Sequence, residues 1–270
     1  MGATPGTLAM NPFLPDEIEA LRALVRTWPN AKMVVLGAAA LRCSMPMSWR
    51  TTEDLDLTVA ASIEDATAAL SLLPGWSSDP RQEQRWRTPS GIAVDIVPAS
   101  GDALAQGYVE WPRSGFRMSL LGMRLAFEHA VALRIGADLE VRVAPIHIIL
   151  VLKMVAHLDR PEARAKDLGD LAHIMYRYVG DDSDRRFSVE VPDDLTEFED
   201  VSPFLLGRDV GAVVDREERR RISDFVNTID DEARGPGLLA RMSILGPPAW
   251  RDPDAVLERI RAFRRGMEER

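Results

Sequence analysis

The strongest constraint on this chain is the stretch at residues 54–59, in which polar and apolar side chains alternate. Asp54, Asp56 and Thr58 alternate with two leucines and a valine. A period of two predicts a strand, and residues two apart on a strand point to the same face. The two carboxylates therefore project together while the apolar side chains enter a core. Two like charges so close repel, and a hard cation such as Mg²⁺ is their natural partner.

A third carboxylate strengthens the prediction of a cation site. Asp95 lies inside the apolar, β-branched run at residues 92–97, which predicts a central strand. An ionised carboxylate buried there without a partner would cost several kcal/mol. If the two strands are neighbours, three carboxylates converge, enough to hold two metal ions about 3.5–4 Å apart for an in-line phosphoryl displacement. The alternative is that Asp54 and Asp56 are solvated on the outer face of a strand.

A strand-to-helix turn precedes the acidic residues. Residues 34–36 predict a short apolar strand that ends at Gly37, and residues 38–42 predict the start of a helix. A glycine at such a turn lets backbone amides and the helix N-terminus approach a phosphate. The turn followed by the acidic strand is therefore typical of a phosphate-binding site.

This constellation resembles the DNA polymerase β-like nucleotidyltransferase superfamily, whose signature is a strand ending in Gly-Gly or Gly-Ser, an Asp-hydrophobic-Asp pair and a third Asp on a later strand. It is most similar to the AbiEii (MenA-like) branch. That branch tends to show Arg-x-Ser/Thr-x-Asp-Leu-Asp, here residues 50–56, a downstream helical lysine, here Lys153, and an Arg-x-Lys/Arg-Asp-x-x-Asp-Leu motif, here residues 164–171. The resemblance covers about residues 30–175.

The resemblance implies an α+β fold, a polymerase β-like mixed sheet with flanking helices followed by a mostly helical C-terminal region. It implies transfer of a nucleoside monophosphate from an NTP to a hydroxyl acceptor, with release of pyrophosphate. Asp54 and Asp56 would then ligate two Mg²⁺ or Mn²⁺ ions, and Asp95 would complete the second metal site and help deprotonate the acceptor.

The resemblance also implies a set of NTP-binding residues. Lys153 is expected to neutralise phosphate charge, with pairing to a structural acid as the alternative, and Asp167 to orient Lys153 or Arg164. The residues expected to bind the substrate are Gly37, Ala38, Arg50, Thr52, Lys153 and Asp167.

The branch is the toxin half of bacterial toxin–antitoxin and phage-exclusion systems, so the resemblance implies an antitoxin protein as a partner. The acceptor stays open among an RNA or tRNA end, a protein side chain and a small molecule.

Two departures from the branch pattern motivate a second hypothesis. Ala38 replaces the second Gly or Ser of the first motif, and Ala93 stands where a basic residue often precedes the third Asp. A degenerate transferase fold that binds a nucleotide or partner protein without chemistry would fit both.

Composition narrows the class of protein. The net charge of −9 argues against a general nucleic-acid coat protein. Cys43 is the single cysteine, which excludes disulfides within the chain and a multi-cysteine zinc site. The longest apolar run, residues 146–158, is too short and too polar to span a bilayer. We therefore expect a cytoplasmic protein without a membrane segment.

The chain is predicted to divide into a nucleotidyltransferase core at residues 1–145 and a mostly helical domain at residues 146–270. Residues 98–145 predict further strands and a loop. Three arginines near the third carboxylate, Arg81, Arg85 and Arg87, are predicted to lie on a solvated strand face.

Overall fold

A mixed sheet carries the alternating stretch at residues 54–59. The protein is described here from a computed structural model, which describes residues 12–28, 32–49, 51–52, 54–188, 191–195 and 197–269. The chain forms two compact units. The sheet unit comprises the described residues of Met1–Ser100 together with Val131–Val143, and the helical unit comprises Gly101–Ala130 and Ala144–Arg270, again as far as they are described. The predicted division after residue 145 stays a prediction.

Three helices and seven strands make up the sheet unit within the described residues. The helices are α1 (Pro15–Thr27), α2 (Gly37–Ser44) and α3 (Ile63–Ser71). The strands are β1 (Met33–Val35), β2 (Asp54–Val59), β3 (Ser77–Ser78), β4 (Arg85–Arg87), β5 (Ala93–Pro98), β8 (Val131–Ile135) and β9 (Leu139–Val143). The two intervening strands, β6 and β7, lie in the helical unit.

The strand order places the acidic strand in the middle of the sheet. Across the described part of the chain the order is β3-β4-β5-β2-β1-β9-β8. β2 pairs with β5 in parallel and β1 with β9 in parallel, while the other neighbours are antiparallel. The predicted α+β class with a mixed sheet is confirmed.

The core of the sheet unit explains why this register is stable. Leu55, Leu57 and Val59 of β2 are fully buried. Because the side-chain period of a strand is two, a shift of one residue would move these apolar side chains to the other face and bury the acids. The alternation seen in the sequence therefore fixes which face the carboxylates occupy.

Short elements begin the helical unit and longer helices complete it. The short ones are α4 (Gly101–Gln106), β6 (Tyr108–Glu110), β7 (Arg117–Ser119) and α5 (Met123–His129). The longer helices are α6 (Ile146–Asp159), α7 (Ala165–Arg177), α8 (Phe198–Val213), α9 (Arg216–Asp230), α10 (Gly235–Leu245) and α11 (Pro253–Glu268). Residues 98–145 were predicted to hold strands and a loop. The strands are present as β6, β7, β8 and β9, and the helices α4 and α5 are an addition to that prediction.

Two helices of this unit approach each other closely at glycines. A β-carbon added at Gly207 in α8 would lie 2.1 Å from the carbonyl oxygen of Phe263 in α11. One added at Gly266 in α11 would lie 2.0 Å from the carbonyl oxygen of Phe204 in α8. Only glycine leaves room for this backbone contact. In the part of the chain that the structure describes, no helix is both long and apolar enough to cross a membrane.

Candidate active site

The three carboxylates predicted from the sequence lie together in the sheet unit. In the parallel pairing of β2 with β5, Asp56 is directly opposite Asp95, and Asp54 precedes Asp56 by two residues on the same face. One oxygen from each of the three lies within 4.8 Å of the others. All three side chains are half-buried. Within the described residues, no second group of three potential metal-ligating acids, histidines or cysteines is as close.

An arginine that the sequence analysis placed on a solvated strand face completes this cluster. Arg85 of β4 lies opposite Asp95 in the antiparallel pair. Its Nε and Nη2 each donate to one oxygen of Asp95 at 2.7 Å, and Nη2 also donates to Oδ2 of Asp54 at 3.2 Å. These hydrogen bonds and the acidic charges raise the pKa of Arg85 above its ordinary value, against the opposing effect of burial. The prediction of a solvated side chain was wrong for Arg85.

The signal for this contact was present in the hairpin. Arg87 pairs with Ala93 at the end of the β4–β5 turn, and each step away from a hairpin turn advances both strands by one residue. Two steps from that pair bring Arg85 opposite Asp95. The register set by the Thr88-Pro89-Ser90-Gly91 turn therefore predicts that the guanidinium of Arg85 lies beside Asp95.

The strand-to-helix turn packs directly against Asp56. Gly37 has φ of +59°, a left-handed conformation that glycine adopts without strain. A β-carbon there would lie 1.9 Å from Oδ2 of Asp56 and 2.9 Å from its Cβ. The backbone N–H of Leu36 donates to the carbonyl oxygen of Asp56 at 2.8 Å. The turn and the acidic strand thus form one rigid arrangement.

The same turn begins α2, which starts at Gly37. The first N–H groups of a helix have no partner within the helix and carry the positive end of its dipole. Ala38 is the second residue of α2 and is buried, so it offers a backbone N–H but no side-chain donor. The turn therefore combines a backbone suited to an anion with an adjacent group of carboxylates.

Thr52 contacts the carboxylate cluster. Its hydroxyl donates to Oδ1 of Asp54 at 3.0 Å, so in this structure it orients a carboxylate, whereas the sequence analysis expected it to bind a phosphate. Arg50, the other residue expected to hold the triphosphate, lies outside the described residues.

Lys153 lies in α6 of the helical unit and pairs with acids of α7. Its Nζ is 2.7 Å from Oδ1 of Asp167 and 2.8 Å from Oδ2 of Asp170. Burial favours the neutral amine, but the charges and hydrogen bonds of the two acids outweigh it and raise the pKa of Lys153. Arg164 is farther from Asp167, at 3.9 Å. Lys153 thus has the acidic partners that the sequence analysis named as the alternative to a phosphate.

The donor set of the cluster fits a divalent metal ion. Three carboxylates supply only oxygen ligands, which Mg²⁺ and Mn²⁺ prefer. Arg85 offsets one of the three negative charges, so the cluster as a whole stays negatively charged. Asp54, Asp56 and Asp95 are the residues that could hold such an ion.

A separate cavity of about 610 Å³ lies elsewhere in the sheet unit. Its described lining comes from α1, from the residues that follow α3 and from the β4–β5 turn. It includes Arg22, Trp76 and Thr88 but none of the three carboxylates. The cavity is therefore distinct from the acidic cluster.

Comparison with known proteins identifies the family. The model of a family described as nucleotidyl transferase AbiEii toxin, type IV TA system, matches residues 19–252. The chain belongs to the AbiEii family. The match includes every residue that the sequence analysis assigned to the site. No curated protein matches the chain.

Three solved structures are similar to this AbiEii protein. An antigenic nucleotidyltransferase-like protein from Paracoccidioides brasiliensis is 18% identical, with a TM-score of 0.40, and the alignment covers 58% of this chain and 74% of that one. A putative nucleotidyltransferase from H. pylori is 13% identical, with a TM-score of 0.31, over 90% and 95% of the two chains. A CCA-adding enzyme in complex with ATP is 14% identical, with a TM-score of 0.30, over 87% and 52%.

Proposed function

We propose that this AbiEii protein transfers a nucleoside monophosphate from an NTP to a hydroxyl group of an acceptor in a metal-dependent reaction. The acceptor oxygen forms a bond to the α-phosphorus, the bond from that phosphorus to the β-phosphate bridging oxygen breaks, and pyrophosphate leaves with the electron pair. The observation that carries the proposal is the convergence of Asp54, Asp56 and Asp95 within 4.8 Å beside the glycine turn.

Asp54 and Asp56 are the residues proposed to hold the metal, since both project from β2 toward one point and Thr52 orients Asp54. Mg²⁺ or Mn²⁺ bound there, as one ion or two, would lower the pKa of the acceptor hydroxyl and neutralise charge on the leaving pyrophosphate. Asp95 is proposed to complete the site and to help take the acceptor proton. Both of its oxygens accept hydrogen bonds from Arg85, so this role requires the guanidinium to move.

The glycine turn is proposed to bind the triphosphate. Because Gly37 has no side chain, Asp56 packs directly against this turn. The first N–H groups of α2, including that of Ala38, suit phosphate oxygens. Arg50 is proposed to pair with the same phosphates. Thr52 would contribute only indirectly, through the carboxylate that it orients.

For Lys153 we propose a structural role in place of the expected phosphate contact. It is nearly buried, and Asp167 and Asp170 both lie within hydrogen-bond distance of its Nζ. Asp167 would then hold Lys153 in place, which is one of the two roles expected for it.

The biological setting proposed is that of a toxin with an antitoxin partner, because the family is described as the toxin of a type IV toxin–antitoxin system. We propose that it acts in the cytoplasm. An RNA or tRNA end, a protein side chain and a small molecule are all hydroxyl acceptors that this chemistry can use.

One observation favours a second function. Arg85 binds both oxygens of Asp95, and an arginine in that position would neutralise an acid that catalysis needs. Together with Ala38, this contact fits a transferase fold that binds a nucleotide or a partner protein without chemistry.

A transfer assay separates the two functions. The wild-type protein is incubated with each α-labelled NTP, Mg²⁺ or Mn²⁺, and bulk tRNA or cell extract as acceptor. Labelled acceptor and equimolar pyrophosphate are expected, and both should disappear when the metal is chelated. Nucleotide binding without any pyrophosphate release would support the binding module instead.

A further inference from the structure

The contact between Arg85 and the acidic cluster has a consequence for metal binding. The two 2.7 Å hydrogen bonds from Nε and Nη2 to the oxygens of Asp95 form a fork, the strongest geometry for such a pair. Arginine stays protonated at any working pH, so this cation cannot leave by losing a proton. Any other cation that binds to the same oxygens of Asp95 must therefore compete with it.

A metal ion on Asp95 would be too close to this guanidinium. The Mg²⁺–oxygen distance is about 2.1 Å, and the nitrogen atoms of Arg85 are 2.7 Å from the same oxygens. The two cations would therefore be separated by less than about 5 Å, where charges of +2 and +1 repel strongly in a half-buried site. Arg85 also contacts Oδ2 of Asp54, so its position affects a second proposed ligand.

We propose that Arg85 is an internal counterion that competes with divalent metal ions for Asp95. Without metal, Arg85 links Asp95 to Asp54 and offsets one of the three negative charges of the cluster. When a metal ion binds to Asp95, the guanidinium is displaced from the fork. This inference rests on the proposed function, because it takes the cluster to be a metal site.

Strand β4 provides a matched control. Arg87 is two residues from Arg85 on the same strand, but it lies opposite Ala93 and is exposed. Its acidic neighbour is Asp79, at 3.9 Å, which is not part of the cluster. Arg87→Gln therefore removes the same charge from the same strand without touching the fork.

The test measures Mn²⁺ binding to the full chain without nucleotide, by electron paramagnetic resonance of the free ion. Arg85→Gln should bind Mn²⁺ roughly tenfold more tightly than wild type, the factor expected for loss of one charge-assisted pair. Arg87→Gln should bind like the wild type. An Arg85→Gln protein with a native circular dichroism spectrum and no tighter binding than Arg87→Gln would overturn the inference.

A second measurement is made on the wild-type protein, in case Arg85→Gln does not fold, and uses a variant only to assign the signal. The Nε–H nuclear magnetic resonance signal of Arg85 is assigned by its loss in Arg85→Lys. Saturating Mg²⁺ should shift this signal and speed its exchange with water, and an unchanged signal would overturn the inference.

If metal binds equally to all variants while nucleotide transfer persists, only the role of Arg85 fails. If no metal binds to any variant, the metal site of the proposed function fails as well.

Discussion

Gly37 and Asp56 are packed so closely that a β-carbon added at Gly37 would lie 1.9 Å from Oδ2 of Asp56. The same added atom would lie 2.9 Å from Cβ of Asp56, so rotation of the carboxylate alone does not relieve the overlap. The turn that is proposed to bind phosphate thus determines where a proposed metal ligand can stand.

Replacing Gly37 by alanine should therefore damage the site as well as the fold. The substitution forces alanine into a left-handed conformation, which costs about 1–2 kcal/mol, and pushes Asp56 from its position. We expect a lower free energy of unfolding in urea. We also expect nucleotide transfer to fall by more than the decrease in the amount of folded protein can explain.

Gly91→Ala is the control for backbone strain. Gly91 also has a positive φ, +89°, but an added β-carbon there meets no atom within 4 Å. This variant should lose only about 1–2 kcal/mol of stability and keep wild-type transfer per folded molecule. Equal transfer activity in Gly37→Ala and Gly91→Ala would show that nucleotide transfer does not need the close packing of Gly37 against Asp56.

Lys153→Met should destabilise the helical unit. The change leaves the buried carboxylates of Asp167 and Asp170 without their cation, and breaking a buried pair in this way costs about 3–5 kcal/mol. Urea unfolding of the wild type and of Lys153→Met measures the difference in their free energies of unfolding. Nucleotide affinity, measured on the folded fraction, should not change.

Lys166→Met is the matched control, because Lys166 lies beside Asp167 in α7 but is exposed. Its stability should stay within about 0.5 kcal/mol of wild type. A Lys153→Met protein that keeps its stability and binds NTP more weakly would instead support the phosphate role expected from the family resemblance.

His173 predicts an acid-dependent loss of stability. Burial, with the nearby charge of Arg177, lowers the pKa of His173 from 6.5 to about 4 in the folded protein. A depressed pKa favours the neutral imidazole in the folded protein. The contribution of His173 to the free energy of unfolding is therefore present above pH 6.5 and is lost as the pH falls toward 4. The loss over that window should be about 3 kcal/mol.

The variant His173→Gln isolates this effect from other titrating groups. The difference in unfolding free energy between wild type and His173→Gln should shrink as the pH is lowered from 7 to 4. If the difference is the same at both pH values, His173 does not titrate with the depressed pKa.

The acidic strand and its neighbour were predictable because their information is local. Alternation at residues 54–59 and the apolar run around Asp95 each define a strand and a face, and adjacency of the two strands then brings the carboxylates together. The contact of Arg85 was missed because residue types alone do not reveal which side chain faces which. That depends on the register of the β4–β5 hairpin.

Short helices were missed for a different reason. α4 and α5 have six and seven residues, fewer than two full turns, so neither shows a helical period long enough to recognise. The proline- and acid-rich composition of residues 181–203 predicts a linker, but Pro203 lies inside α8. Proline normally marks a helix boundary, and here the close packing of α8 on α11 at Gly207 and Gly266 accompanies a helix that continues past it.

Asp54 and Asp56 are proposed to act as one unit that holds metal for nucleotide transfer. The rate of Mg²⁺-dependent transfer from labelled NTP by Asp54→Asn, Asp56→Asn and the double variant tests this role. Each single change should lower the rate by at least roughly a thousandfold, and the double variant should be scarcely worse, because residues that act as a unit are not additive. Thermal stability of Asp56→Asn should be unchanged or slightly raised, since a repelling charge is removed. Wild-type transfer by folded Asp56→Asn would contradict the account.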